Sequence, residues 1–364
     1  MTNLQKVKIE GKEYTVVDSI QNLRAEDSFI QNKNKLDMYR GNGEARKYVG
    51  SYTGDNSTAL RDFFEYETWG NRYHRDGVWV KHIIQKNCFF SKANLVKYLE
   101  DARLEYQLQE QVYKNDISSF YEERLAKVKK LESEKIRFSI YDVSDSEGSG
   151  SRAYIRSDDA IWQLWRELVL PKISYLSILK LQATDITNTE PLYYFRILLD
   201  YQFRSIIHPK LSLDIDESID IEQNESSLIK DAKYREGQSK YRKKVIEYMP
   251  QCPFTKVSDE RILIASHIKP YQVCINENDL NAAYDYLNGL ALTPTYDKLF
   301  DRGFITFLDT GELICGTQLS PYTWSKLNIN PNARNKMRIY PEERTSYLEY
   351  HRLNVFQDNL DDLI

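Results

Sequence analysis

The chain has 364 residues, of which 41% are hydrophobic and 29% charged, and its formal net charge is -4 at pH 7. This length accommodates two or three domains of ~100–200 residues, and no apolar run approaches the ~18–20 residues that a membrane-spanning helix needs. The acidic balance argues against a protein that coats nucleic acid, because such binding needs a clustered basic surface, but it leaves open an enzyme with a local basic cleft.

The first residues and the cysteines indicate the compartment. The start, MTNLQKVKIEGKEYTVVDS, is polar and alternating and lacks the basic-then-apolar pattern of a signal peptide, so we expect a cytoplasmic protein. The cysteines are scattered without a C-x-x-C pair, which predicts reduced thiols and no structural zinc: Cys88, Cys252, Cys274 and Cys315.

Residues 1–90 are predicted to form a β-rich module. KVKIEG and KEYTVV alternate as strands do, and Asp76-Gly77 between RYHR and VWVKH is typical of a hairpin. Aromatic and basic residues interleave near this hairpin, and they either pack one face of a sheet or stack on a nucleic-acid base: Trp69, Arg72, Tyr73, Arg75, Trp79 and Lys81.

Residues 91–209 are predicted to be largely helical. Residues 92–138 contain no proline or glycine and carry apolar residues at helical spacing, which indicates one or two long amphipathic helices. An exposed loop, SDSEGSGSR, follows. AIWQLWRELVL predicts a buried helix with Trp162 and Trp165 in its core, and PLYYFRILLDYQFRSII (191–207) predicts another.

A switch in charge marks the next boundary. Residues 210–227 hold six acidic residues and one lysine, whereas residues 228–256 hold eight basic and three acidic residues. We therefore expect an acidic linker over 210–230 and a basic helix after it.

Chemistry-bearing residues cluster after that helix. In ILIASHI (262–268), an isoleucine-rich run ends in Ser266 and His267, as a strand does when it ends at a site. NGLALTPTYDKLFDRG then predicts a turn, a short strand and a helix capped by Thr293, with Pro294 at its first position and Gly303 beyond its end. FITFLDTGELI predicts a hairpin, so the local order is strand, strand, helix, hairpin.

ASHIKPY, NGLALTPTYDKLFDRG and the lead-in GQSKYRKKVIEYMPQCPFT together resemble the HNH endonuclease family, particularly the HNH domains that end many type II restriction endonucleases. The resemblance covers roughly residues 232–316. It implies that His267 is a general base, that Asn288 bonds the backbone of the loop bearing His267, and that Asp297 is a metal ligand. A neutral imidazole suits the base near pH 7, because the reference pKa of histidine is ~6.5.

The resemblance also implies a cofactor, Mg²⁺ or Mn²⁺, since hard cations prefer oxygen ligands. Many family members carry Asp or His immediately before the general base, and this chain has Ser266 there. Asp301 shares a helix face with Asp297, so it either assists the metal or makes a structural ion pair. Cys252 aligns with a cysteine of relatives and is interpreted as a packing residue.

Five basic residues are candidates for DNA contact, although the basic helix is equally typical of a solvated face: Lys240, Arg242, Lys269, Lys298 and Arg302. The other histidines have no neighbours at ligand spacing and are interpreted as structural: His74, His82, His208 and His351.

The sequence thus predicts an α+β protein. A C-terminal ββα-metal (HNH) nuclease module over 231–345 follows a mixed β-rich and helical recognition region and precedes a C-terminal tail over 346–364. The leading hypothesis is a type II restriction endonuclease that cuts double-stranded DNA as a homodimer. The alternatives are a defence or toxin nuclease without sequence specificity and a non-catalytic nucleic-acid-binding protein.

Overall fold

A computed structural model of the chain contains two compact units. One comprises Thr2–Ser205 with Ser320–Thr323 and is called the N-terminal unit; the other comprises Ile206–Leu319 and Trp324–Ile364 and is called the C-terminal unit. The structure describes residues 4–25, 42–46, 63–65, 72–75, 78–81, 85–108, 117–140, 142–145, 152–157, 159–170, 173–185, 190–205, 225–333, 335–337 and 343–363. Among these residues, no helix is both long and apolar enough to span a bilayer.

The N-terminal unit is organised around a large sheet. Its described strands are β1 (Lys6–Ile9), β2 (Lys12–Ala25), β3 (Asn42–Arg46), β4 (Arg72–Arg75), β5 (Val78–Lys81), β6 (Lys86–Ser91), β7 (Lys135–Ile140), β8 (Asp142–Asp145), β9 (Arg152–Arg156), β10 (Ser174–Ala183) and β11 (Leu192–Leu199). The sheet runs β7-β6-β11-β10-β2-β3-β9-β8, with β1 paired to β2. Of these described pairs, only β6 with β11 is parallel.

The predicted hairpin is present, since β4 pairs with β5 in antiparallel register. The turn residues Asp76 and Gly77 lie outside the described residues.

The helices of the N-terminal unit cover an aromatic core. They are α1 (Lys92–Asp101), α2 (Arg103–Leu108), α3 (Ser118–Lys129) and α4 (Ala160–Leu168), with a 3-10 turn at Tyr201–Phe203. Helix α4 confirms the prediction from AIWQLWRELVL, and the rings of Trp162 and Trp165 are buried and stack 4.8 Å apart. Phe90 from β6 and Phe138 from β7 stack 4.6 Å apart in the same core.

Two helical predictions in this unit are wrong. The segment 191–207 contains strand β11, and all eight residues of that strand are buried. A strand covered on both faces loses the two-residue alternation, so its apolar run resembles a buried helix. The segment 92–138 is divided among three short helices and the start of β7. The described part of residues 91–209 therefore combines helices with strands β7 to β11 and is not largely helical.

From residue 225 onward the described chain forms a second set of elements. The helices are α5 (Glu225–Tyr248), α6 (Tyr271–Asn276), α7 (Leu280–Tyr284), α8 (Pro294–Asp301), α9 (Pro321–Lys326) and α10 (Thr345–Tyr350). The strands are β12 (Ile264–His267), β13 (Gly289–Leu292), β14 (Ile305–Phe307) and β15 (Leu313–Cys315). Helix α5 is the predicted basic helix, but it begins at Glu225, so the end of the acidic linker expected over 210–230 is helical; residues 210–224 lie outside the described residues.

The predicted two strands, helix and hairpin are present in the C-terminal unit, but the short helices α6 and α7 lie between the two strands. Strands β12 and β13 pair antiparallel with His267 opposite Gly289, helix α8 follows, and β14 pairs with β15. The core behind them is apolar and includes Val245, Met249, Leu290, Leu292, Phe300 and Phe307. The protein is thus a mixture of helices and strands, and short elements of the C-terminal unit bring His267 and α8 together.

Helix α8 has the predicted ends. Pro294 occupies its first position, and Thr293 is the N-cap residue although its side chain makes no capping bond. Gly303 has a φ of 72°, and its N–H bonds the Phe300 carbonyl while the N–H of Phe304 bonds that of Leu299. This pair of bonds is the Schellman termination, which the left-handed glycine permits.

The expectation of a tail over 346–364 is wrong. The imidazole of His351 is buried, stacks on the Phe300 ring at 3.8 Å, and forms hydrogen bonds of 3.0 Å with the Thr306 hydroxyl and the Phe300 carbonyl. Leu348 and Val355 are buried with it. Thr306 and Phe300 lie more than 40 residues from His351 along the chain, so no local sequence pattern predicts this packing.

Candidate active site

His267 is the last residue of β12, and its side chain is partly buried. Its Nε2 lies 3.0 Å from the carbonyl oxygen of Ala283 near the end of α7. A carbonyl only accepts, and the last carbonyls of a helix lack partners within the helix, so Nε2 carries the proton in this bond. In the neutral ring the lone pair is therefore on Nδ1.

Two tyrosines enclose the imidazole. The ring of Tyr241 from α5 stacks on it at 4.2 Å and an angle of 12°, and Tyr271 meets it edge-on at 5.6 Å. Burial lowers the pKa of His267, and the hydrogen bond to Ala283 and the charge of Asp301 oppose this shift only in part. The ring is thus held in its neutral form, which can accept a proton at neutral pH.

Asn288 fixes the backbone that follows His267. Its side chain is fully buried; Oδ1 accepts from the Lys269 N–H at 2.7 Å, and Nδ2 donates to the Lys269 and Ala282 carbonyls, each at 3.0 Å. Its own carbonyl accepts from the N–H of Ile268 at 3.0 Å. These bonds join the residues after His267 to the start of β13 and to α7.

Helix α8 presents two carboxylates to the end of β12. Burial raises the pKa of Asp297, and the nearby charge of Asp301 raises it further, whereas a hydrogen bond from Ser266 and the charge of Lys298 lower it. Since Asp301 also acts on His267, the structure brings four predicted residues into one cluster: Ser266, His267, Asp297 and Asp301. We call it the polar cluster.

The donor set of the polar cluster fits a hard cation. Two carboxylates and a serine hydroxyl offer oxygen ligands, and a bound cation would relieve the repulsion that raises the pKa of Asp297. Within the described ranges no group of three or more His, Cys, Asp or Glu side chains is arranged to hold a metal. An ion such as Mg²⁺ would therefore take few protein ligands here, and water or substrate oxygens would complete its coordination.

Comparison with protein families identifies this part of the chain. Residues 252–308 match the sequence model described as HNH endonuclease. This segment is an HNH endonuclease domain. The match supports nuclease activity on nucleic acid, and the matched residues include β12, β13, α8 and the whole polar cluster. No curated protein matches the chain significantly.

The five basic residues predicted for DNA contact differ in their surroundings around the HNH domain. Lys240 and Lys298 are exposed. The guanidinium of Arg242 donates to the carbonyls of Glu260 and Leu263, so it supports the loop before β12.

Lys269 pairs with Glu277 and lies 5.1 Å from the Tyr350 ring, and Arg302 is partly buried. The side chains of Lys240 and Lys298 are thus exposed, and the exposed Arg242 is engaged with the loop before β12.

The remaining predicted residues lie away from the polar cluster or outside the description. His351 is a structural residue of the core, as expected. His74 lies on β4, while Trp69, His82 and His208 fall outside the described residues. Tyr73 and Trp79 lie on the paired strands β4 and β5.

All four cysteines are free and buried, and the Cys252 sulfur lies 3.8 Å from the Thr293 hydroxyl. Burial of Cys252 among core residues agrees with its interpretation as a packing residue.

Sequence reasoning missed two residues beside the HNH domain. Tyr241 lies in the quoted lead-in, but nothing in its spacing indicated a stack on His267. Arg344 is fully buried, and its Nε and Nη2 donate to the Gly289 carbonyl at 3.1 and 3.0 Å. No local signal marks Arg344, because the carbonyls that it binds lie 55 and 58 residues earlier.

The pKa of His267 provides a test that needs no metal. Burial disfavours the imidazolium, so we expect an NMR titration of the metal-free protein to give His267 a pKa below the ~6.5 of an exposed histidine. The unfolded chain binds this proton more tightly, so protonation lowers the free energy of unfolding as the pH falls below ~6.5. The urea-unfolded chain is the reference, and a folded pKa equal to or above its value would contradict the geometry.

Proposed function

We propose that the protein is a metal-dependent DNA endonuclease that hydrolyses phosphodiester bonds at the polar cluster. The observation that carries this proposal is the state of His267, a neutral base with its Nδ1 lone pair available beside two carboxylates. Phosphodiester hydrolysis needs a deprotonated water and positive charge near the phosphate oxygens, and this arrangement supports both.

Each residue has a distinct role in this proposal. His267 accepts the proton of the attacking water at Nδ1, while its Nε2–H stays bonded to the Ala283 carbonyl. Asn288 holds the loop after His267 through Lys269. Asp297, assisted by Asp301 and Ser266, would hold Mg²⁺ or Mn²⁺, which when bound supplies positive charge to the phosphate oxygens. Lys240 and Lys298, whose side chains are exposed, would contact the DNA backbone.

The most specific form of the proposal is a type II restriction endonuclease in the cytoplasm. The HNH domain is small, and reading a DNA sequence requires a larger surface than it offers. We assign that reading to residues 1–230 and cleavage to residues 231–345, a division supported by the separate N-terminal unit with its own core. Residues 346–364 are assigned to the cutting part as well, since His351 packs in its core.

Digestion of DNA tests this proposal directly. Phage and plasmid DNA incubated with the protein and Mg²⁺ are expected to yield discrete fragments. His267→Ala is expected to slow cleavage by ~10²–10⁴-fold, because it removes the general base. The readouts are the single-turnover cleavage rate and the gel mobility of DNA bound to the variant.

His351→Gln is the matched control, because it alters a buried histidine outside the polar cluster. It should lower the thermal unfolding midpoint yet leave the cleavage rate of the folded protein intact. A smear would indicate a nuclease without sequence specificity, and retarded but intact DNA would indicate binding alone. Cleavage by His267→Ala at the wild-type rate would overturn the assignment of the base.

Removal of the metal or of its main ligand should abolish activity. We expect no cleavage in EDTA or by Asp297→Ala, because the phosphate charge is then uncompensated, and partial recovery of Asp297→Asn with Mn²⁺. Asp309→Ala is the control, since Asp309 pairs with Arg352 at 2.8 Å away from the cluster. Full cleavage in EDTA would show that no metal is required.

We also propose that the protein cuts as a homodimer. One HNH domain faces one scissile phosphate, so a double-strand break requires two copies related by a two-fold axis or two successive nicks. With supercoiled plasmid we expect linear product directly, at a rate that rises more than linearly with protein, and light scattering should give twice the monomer mass on cognate DNA. Nicked circles that accumulate first, at a rate linear in protein, would show that single copies cut.

A further inference from the structure

Tyr241 makes the most extensive ring contact with His267. It comes from α5, which precedes the residues that match the family, and its side chain is buried. The two rings lie nearly parallel, 4.2 Å apart at 12°, whereas Tyr271 touches the imidazole only edge-on. A parallel neighbour at this distance restricts tilting of the imidazole out of its plane.

The hydroxyl of Tyr241 is bonded to a second residue of the site. It donates to the backbone carbonyl of Asn288 at 3.1 Å, the same oxygen that accepts from the N–H of Ile268. One side chain therefore contacts the imidazole with its face and the residue that fixes the following loop with its hydroxyl. The bond satisfies the buried hydroxyl and at the same time links the ring to Asn288.

The partner strand leaves room for this ring. Gly289 lies opposite His267 in the β12–β13 pair, and a Cβ there would lie 2.6 Å from the Tyr241 hydroxyl and 2.5 Å from a methyl of Val245. The carbonyl of Gly289 is held by the buried guanidinium of Arg344. The position of Tyr241 thus depends on the absence of a side chain at residue 289.

The hydrogen bond to Ala283 does not by itself orient the imidazole ring of His267, and the contacts of Tyr241 add a second restraint. That single hydrogen bond restrains Nε2, but by itself it does not restrain the plane of the ring, which sets the direction of Nδ1. Misplacement of a reacting group by about 1 Å costs up to ~100-fold in rate. A second restraint, on the plane of the ring, would therefore preserve a rate that misalignment lowers.

We propose that Tyr241 is a positioning residue: its ring sets the plane of the His267 imidazole, its hydroxyl ties that ring to Asn288, and together they aim Nδ1. This proposal rests on the proposed function, in which His267 is the base. It assigns a role in the HNH reaction to α5, outside the matched residues 252–308.

The test compares Tyr241→Phe and Tyr241→Leu in the full-length protein. Tyr241→Phe keeps the stacked ring and loses the hydroxyl, whereas Tyr241→Leu loses both. We expect Tyr241→Leu to lower kcat by about 10- to 100-fold with KM within a few-fold of wild type, because alignment and not DNA binding is lost. Tyr241→Phe should recover most of that loss.

Phe254→Leu is the matched control. Phe254 stacks on Tyr296 at 4.8 Å and 9° in the same unit and has no ring contact with His267. It should lower the thermal midpoint about as much as Tyr241→Leu and leave kcat unchanged. An unchanged kcat in Tyr241→Leu, or an equal fall in Phe254→Leu, would overturn the positioning role.

A second readout separates this proposal from the proposed function. In spectra of histidine-labelled protein, the His267 imidazole should give one sharp resonance in wild type and Tyr241→Phe and a broadened or split one in Tyr241→Leu. Identical sharp resonances in all three proteins would overturn the positioning role even if wild type cleaves DNA. If wild type fails to cleave, the proposed function falls, and the spectra still decide whether Tyr241 orders the ring.

Discussion

The arrangement of the site depends on the buried amide of Asn288. It makes two hydrogen bonds with the backbone of Lys269 and one with the carbonyl of Ala282, and these satisfy polar groups that would otherwise be buried without partners. Each such group left unsatisfied would lower the free energy of unfolding by ~1–3 kcal/mol. These hydrogen bonds also hold the end of β12 beside the end of α7, where the carbonyl of Ala283 accepts a hydrogen bond from His267. The tautomer of the imidazole, and hence the atom that accepts a proton, follows from that contact.

Two opposing effects then give the polar cluster its chemistry. The aromatic surroundings lower the pKa of His267 and keep it neutral, while burial and the nearby Asp301 raise the pKa of Asp297 and make a cation favourable there. A neutral base thus lies next to carboxylates that attract a cation. Hydrolysis of an anionic phosphodiester requires both a base and positive charge near the phosphate. Two residues outside the matched segment contact it: Tyr241 stacks on His267, and Arg344 donates to the carbonyl of Gly289.

Local patterns predicted the elements that carry the polar cluster. The run ILIASHI, the Pro294 and Gly303 signals of α8 and the hairpin after it depend on neighbours in sequence, and the structure has each of them. Local patterns failed where burial on both faces removed the alternation of β11. They also failed where partners are distant in sequence, as for His351 and Arg344, because such contacts have no short-range signature.

The most direct test of the role of His267 is whether a free base can replace its side chain. His267→Gly leaves a space where the imidazole lay, and its single-turnover cleavage of plasmid DNA is measured with Mg²⁺ at increasing imidazole concentration. We expect very slow cleavage without imidazole and a rate that rises with its concentration, whereas Asp297→Ala should show no such response. Cleavage by His267→Gly at the wild-type rate without imidazole would contradict the role of His267 as the base.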